Sequence, residues 1–286
     1  MSKLDTISLR CGKWQAQVAA GVGMNTMSLI CDGIPVLRTP PSVGVLKQNP
    51  CVYGTPLLLP PNRTAGGTFT FDGRTQQLPV NEPAFGNHLH GFLHSQPFEL
   101  TDVAENRICG VFENQGTIFP YYYRIEVICT LTEEGYRQEF LIKNTGDCDM
   151  PVTFGLHTVF ANPEEIRVPI DCRWEVNNCY IPTGKLEELY EEARSYRDGM
   201  VPEGRLVRGF YTSCGCEARI GKFVYRVSPN FNQWVLWNGD GASGFCAVEP
   251  MCGAVNALNS GEGLLRLKAG ETVRFVTMIL QAETIG

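Results

Sequence analysis

The chain reads as an all-β protein, a large antiparallel β-sandwich, and three observations predict this. Gly, Pro, Asn or Asp recurs every eight to twelve residues. Short runs rich in β-branched and aromatic residues lie between these breaks. Only one stretch carries a helical period. The 286 residues contain 30 glycines and 18 prolines, above the usual combined share of roughly 12%, which fits a chain of many turns.

The strand runs are Gly67–Phe71, Tyr121–Leu131, Tyr136–Lys143, Phe223–Val227, Trp234–Trp237 and Val273–Leu280. Tyr136–Lys143 comes closest to strict alternation, polar outward and apolar inward. The predicted helix is Lys185–Tyr196, where Leu186, Leu189, Ala193 and Tyr196 fall on one face. A lone helix of this kind is an excursion on a β body. No linker, repeat or compositional shift divides the chain, so a single domain over residues 1–286 is expected, two antiparallel sheets packed face to face.

Composition narrows the function. Net charge is −6, and 43% of the residues are hydrophobic. That is a globular composition without a basic patch, so nucleic acid is not an expected partner. No apolar run is long enough to span a membrane, and the first residues lack the apolar core of a signal peptide. A cytoplasmic protein is expected. The 12 cysteines are scattered, with Cys214-x-Cys216 the closest pair, and they read as free thiols rather than a disulfide or zinc framework. There is no dinucleotide or phosphate-loop fingerprint and no nucleophile elbow.

Chemistry concentrates in a few places. Three of the four histidines fall in Asn87-His-Leu-His-Gly-Phe-Leu-His94. On a strand His88 and His90 would share a face. Such a pair could hold a metal, but no carboxylate or cysteine sits at ligand spacing, and a non-metal role is the simpler reading. Gly91 permits a close backbone approach or an unusual dihedral. His157 lies in an apolar, strand-like run, as either a core residue or a proton donor. Glu249 is the only charge between Asp240 and Glu262. A carboxylate there either faces solvent at a strand end or is buried for a purpose. Pro250 is expected to stop the strand at that point. Arg63 follows Pro60-Pro-Asn and is presented with Asn62 on a stiff loop.

Taken together, these stretches resemble the aldose 1-epimerase family, the mutarotases. The matching pieces come in family order: Pro60-Pro-Asn-Arg63 with Gly66–Phe71, His88-Leu-His-Gly-Phe92, Phe154–Phe160, Tyr180-Ile-Pro-Thr-Gly184, and Val248-Glu-Pro-Met-Cys-Gly253 leading to Asn256. The likeness runs from about residue 15 to residue 280. It implies the supersandwich fold of galactose mutarotase. By the same resemblance, Glu249 is a general base and His157 a general acid. His90 contacts the substrate near its ring oxygen, and Asn62 and Arg63 bind sugar hydroxyls. Gln233 is a weaker candidate for a hydroxyl contact, and Phe92, Trp234 and Trp237 for stacking on the sugar. His88 and His94 are read as structural.

The implied activity is interconversion of the α and β anomers of a cyclic sugar, without cofactor or metal, by a monomer or homodimer. The alternatives are a hexose-phosphate epimerase and a non-catalytic sugar-binding protein on the same fold. One departure stands out. Where the family commonly carries a sugar-binding Asp, this chain reads Leu206-Val-Arg-Gly-Phe-Tyr-Thr212. Arg208 would suit an acidic or phosphorylated sugar, or it is a loop residue facing solvent, which is the simpler expectation.

Overall fold

The structure, a computed structural model, describes residues 6–282. Two large antiparallel sheets dominate it. The first runs, in spatial order, through Glu99–Val103, Arg107–Gln115, Tyr122–Leu131, Gly135–Asn144, Thr272–Gln281, Phe223–Val227, Glu217–Ile220 and Ile166–Arg167. The second runs through Pro182–Glu188, Ile170–Val176, Arg208–Ser213, Gln233–Trp237, Phe245–Cys252, Phe154–Leu156 and Leu57–Leu58, with Val159–Ala161 also paired to Phe245–Cys252. A four-stranded antiparallel meander, Ile7 to Pro35, precedes them.

The sheets pack through aromatic side chains. Phe140 and Phe275 of the first sheet meet Phe154 of the second at ring separations of 5.2 and 5.1 Å. Alternation explains the facing. Tyr123, Ile125, Val127, Cys129 and Leu131 are buried while the residues between them are partly exposed. All six predicted strand runs are strands, within a residue or two at their ends. The main cluster of buried apolar side chains extends from Leu9 to Ile279. No helix among the described residues is long and apolar enough to cross a membrane, and the 12 cysteines are all free.

Three expectations are corrected. The predicted helix is half strand. Pro182–Glu188 pairs with Ile170–Val176, and the helix is Glu191–Asp198. The strand is an exposed sheet edge rich in charge, with Lys185 paired to Glu175 and Glu187, so its outward Leu186 imitated a helical position. Leu189, Ala193 and Tyr196 do turn inward.

Second, the described residues hold three helices rather than one. Val43–Gln48 and Ala257–Ser260 are too short to leave a period in the sequence.

Third, Pro250 does not stop its strand, which continues to Cys252. The amide of Val248 donates to Thr158 O, so even-numbered amides here point toward the strands Phe154–Leu156 and Val159–Ala161. The pairing is interrupted between those two strands. Pro250 falls at that interruption, where no N–H is required.

Candidate active site

The strand Phe245–Cys252 is buried at every residue. Val248 points into the core and Glu249 to the opposite face of the sheet, beside Val235, its cross-strand partner. Glu249 is therefore not a strand-end residue in solvent; it is 2% exposed. Phe154–Leu156 and Val159–Ala161 pair with this strand in one common register. His157 falls in the break between them, directly across from Glu249. Its backbone amide faces the other neighbour and donates to Pro56 O, continuing the register with Leu57–Leu58, and its ring meets the carboxylate, Nε2 to Oε1, at 3.4 Å. The apolar run around His157 is thus two short strands with the imidazole at their junction.

Burial pushes the Glu249 carboxyl well above the ordinary range and pushes His157 down to about 4. Each group alone prefers to be neutral. At 3.4 Å the attraction between carboxylate and imidazolium opposes that preference. The neutral pair and the ion pair hold the same number of protons, so transfer within the pair changes no net charge. Among the described residues, Glu249 Oε2 and the Nδ1 atoms of His157 and His90 are buried without a hydrogen-bond partner. Buried polar atoms are normally paired, and a group of orphans this close together fits a polar ligand.

His90 reaches the site by a turn. The strand Asn87–Leu89 ends one residue earlier, and His90 has φ 63°. His88 and His90 therefore do not share a face. His88 is buried, with Nδ1 2.7 Å from Pro79 O, whereas the His90 ring lies 5.4 Å from His157. Gly91, at φ 63°, allows the bend: a Cβ there would sit 2.1 Å from Leu59 O. The His90 amide donates to Asn62 O at 2.8 Å, which ties the histidine turn to the Pro60–Arg63 loop. Burial, with His157 close by, holds His90 well below the usual imidazole range. Burial lowers His94 to about 4. Among the described residues, no three His, Cys, Asp or Glu side chains converge as a metal cluster.

Arg63 is held firmly. Its Nε and Nη2 donate to Glu82 at 2.8 and 2.6 Å, and Nη1 makes a longer bond to Asn62 Oδ1 at 3.3 Å. The Tyr180 ring stacks 4.8 Å from the guanidinium carbon. Nη1 and Nη2 each keep one N–H for a further acceptor. Asn62 is buried at φ 52°. Gln233 accepts from Trp174 Nε1 at 2.8 Å and lies on the Glu249 face of the sheet. Trp237 lies on the same face, its ring 5.7 Å from His157. Trp234 points the other way and is a core residue. Arg208 is exposed, but it is not in a loop. It opens the strand Arg208–Ser213, directly opposite Trp237, and so lies on the Glu249 face.

Sequence reasoning missed Glu82, Arg38 and Phe245. Glu82 is 19 positions from Arg63, a separation no periodicity reports. Arg38 stacks its guanidinium 4.2 Å from the Phe245 ring, which in turn lies 5.3 Å from Trp237.

The β-sandwich thus carries a carboxylate–imidazole pair on one buried sheet face, with arginine and aromatic groups nearby. Residues 20–280 match the family described as aldose 1-epimerase, and the chain belongs to that family. Among its relatives, the uncharacterized protein YphB of Escherichia coli (strain K12) is 24% identical, over 84% of this chain and 87% of its own. Protein LacX of Lactococcus lactis is 26% identical over 64% and 70%. A galactose mutarotase-like protein from Clostridium acetobutylicum has the same fold, with a TM-score of 0.90 at 23% identity over 98% of this chain and 95% of that one. The galactose 1-epimerase from Lactobacillus acidophilus NCFM superposes with a TM-score of 0.80 at 16% identity over 97% and 95%.

Proposed function

We propose that this protein is an aldose 1-epimerase, and that Glu249 and His157 carry the reaction. The observation behind this reading is the buried 3.4 Å contact between the two side chains, each with a second polar atom left unpartnered.

In the reactive form Glu249 is the carboxylate and His157 the imidazolium. Glu249 takes the proton of the anomeric hydroxyl as His157 protonates the ring oxygen. The bond between the anomeric carbon and the ring oxygen breaks, leaving an open-chain aldehyde. Moving both protons in one transition state avoids a free alkoxide or oxonium. The aldehyde turns about its first carbon–carbon bond and the ring hydroxyl attacks the other face. His157 now takes the hydroxyl proton, and Glu249 returns its proton to the new anomeric oxygen. The enzyme ends as it began, and the cycle uses no external oxidant or reductant.

His90, uncharged because burial depresses it, contacts the sugar near its ring oxygen. Arg63, Asn62 and Gln233 hold the hydroxyls. Arg63 is fixed in advance by Glu82 and Tyr180, so little side-chain freedom is lost when substrate binds. Family membership supports this reading. A sugar-binding protein would need arginine and aromatic faces but no carboxylate touching an imidazole. Anomer exchange by NMR saturation transfer, run on a panel of aldoses, tests the proposal. Accelerated exchange of at least one sugar is expected, and none with any sugar in the folded protein would contradict it.

A further inference from the structure

The sheet face that carries Glu249 also carries two arginines, Arg38 and Arg208, that make no ion pair among the described residues. Arg208 pairs across its strand with Trp237, Trp237 with Ala247, and Ala247 with Val159. The Arg38 amide donates to Val159 O at 2.9 Å. The five residues therefore form one row across the sheet with an arginine at each end. Val159, Ala247 and Trp237 make an apolar floor between them, extended by Phe245. The neighbouring row holds His157, Glu249, Val235 and Phe210.

The Arg38 guanidinium is stacked between Phe245 and Tyr53, at 4.2 and 4.9 Å, and among the described residues its only polar partner is Val52 O at 3.3 Å. Elsewhere arginines of this acidic chain find carboxylates, as Arg124 finds Glu113 and Arg266 finds Asp72. Glu82 on this side of the molecule is already engaged by Arg63. Register places the Arg208 Cα about 12 Å from that of Glu249, from two strand spacings and two residues of rise. That span suits a pyranose with its anomeric carbon at Glu249 and a charged substituent directed toward the arginine row.

We infer that the substrate is an anionic sugar, whose carboxylate or phosphate, remote from the anomeric carbon, is held by Arg208 beside Trp237, while Arg38, about 19 Å away Cα to Cα across four strand spacings, adds positive charge at the far end of the same row. The inference rests on the epimerase reading and specifies its substrate class. Guanidinium groups meet such oxygens with paired, charge-assisted hydrogen bonds.

The test compares glucose, glucose 6-phosphate and glucuronate in the saturation-transfer assay, with wild type, Arg208→Gln and Arg38→Gln. One anionic sugar should exceed glucose in kcat/KM by tenfold or more, and the better of the two identifies the charged group. Arg208→Gln should reduce that preference roughly ten- to a hundredfold, chiefly through KM. Raising the salt concentration should weaken the anionic substrate selectively. Arg38→Gln is the less direct variant because its side chain also packs, so Arg208→Gln decides. Glucose preferred over both anionic sugars, or a preference unchanged in Arg208→Gln, would overturn the inference and leave the epimerase reading standing. If no sugar exchanges, the epimerase reading has failed, and titration of tryptophan fluorescence with the two anionic sugars decides the anion site separately. Binding that is lost in Arg208→Gln upholds it, and no binding overturns it.

Discussion

Glu82→Gln isolates the group that holds Arg63 in place, and its effect can be sized from the structure. The Arg63–Glu82 pair makes two charge-assisted bonds, 2.8 and 2.6 Å, with side chains only 15% and 13% exposed. Solvent therefore screens it little, and its loss should exceed the ~0–1 kcal/mol of a surface pair. Fully buried pairs broken on one side cost about 3–5 kcal/mol. Residual exposure, and the oxygen that glutamine keeps for Asn87 Nδ2 (3.1 Å from Glu82 Oε2), place this variant near 2–3 kcal/mol. For a chain of this size that lowers Tm by about 3–5 °C. Arg63 would also be freed to swing, so KM should rise several-fold while kcat changes less. Thermal unfolding and saturation kinetics measure the two effects. A double-mutant cycle with Arg63→Gln gives the coupling energy. A coupling below about 0.5 kcal/mol with unaltered KM would refute the positioning argument.

Further predictions follow from the same geometry. Gly91→Ala combines a left-handed backbone with a Cβ 2.1 Å from the Leu59 carbonyl. It should lose at least about 2 kcal/mol in urea unfolding and reduce turnover by displacing His90; wild-type stability would contradict the account of the bend. Burial depresses His157 and His94 to about 4 in the fold, below the unfolded value. The unfolded chain therefore binds more protons between pH 6.5 and 4, and stability falls as pH drops through that window, by up to about 3 kcal/mol for the better-buried His157. The urea midpoint measured from pH 7.5 to 4.5 reads this directly, and a flat profile would contradict it. Glu249, raised by burial, has the opposite sign: its contribution is present below the unfolded value and lost as pH rises through the folded one. Glu249→Gln should thus gain stability relative to wild type at pH 8 compared with pH 5, checked by the same midpoints.

The fold was legible because its strands alternate. Tyr122–Leu131 buries every second side chain, and such a pattern survives in the sequence without any knowledge of partners. Charged edge residues broke the legibility at Lys185–Glu188, where an exposed leucine at helical spacing belonged to a strand. The candidate site was legible in its residue types and partly in its arrangement. Glu249 and His157 stood out as lone polar groups in apolar runs, and the structure sets them in contact. The His88/His90 relation was misread because a positive φ at His90 cancels strand alternation, and nothing but the following glycine hinted at it. Glu82 and Arg38 were invisible because their roles depend on pairings between distant segments. The orientation of Arg208 depends on the register between two strands, which the sequence does not print.

The most direct test compares anomer exchange in wild type and Glu249→Gln at matched concentration, with circular dichroism showing that both are folded. Glutamine keeps the size of Glu249 and removes the base, so exchange should fall by at least about a hundredfold while bound sugar still perturbs the protein spectrum. Exchange at the wild-type rate in the folded variant would contradict the assignment of Glu249 as the catalytic base.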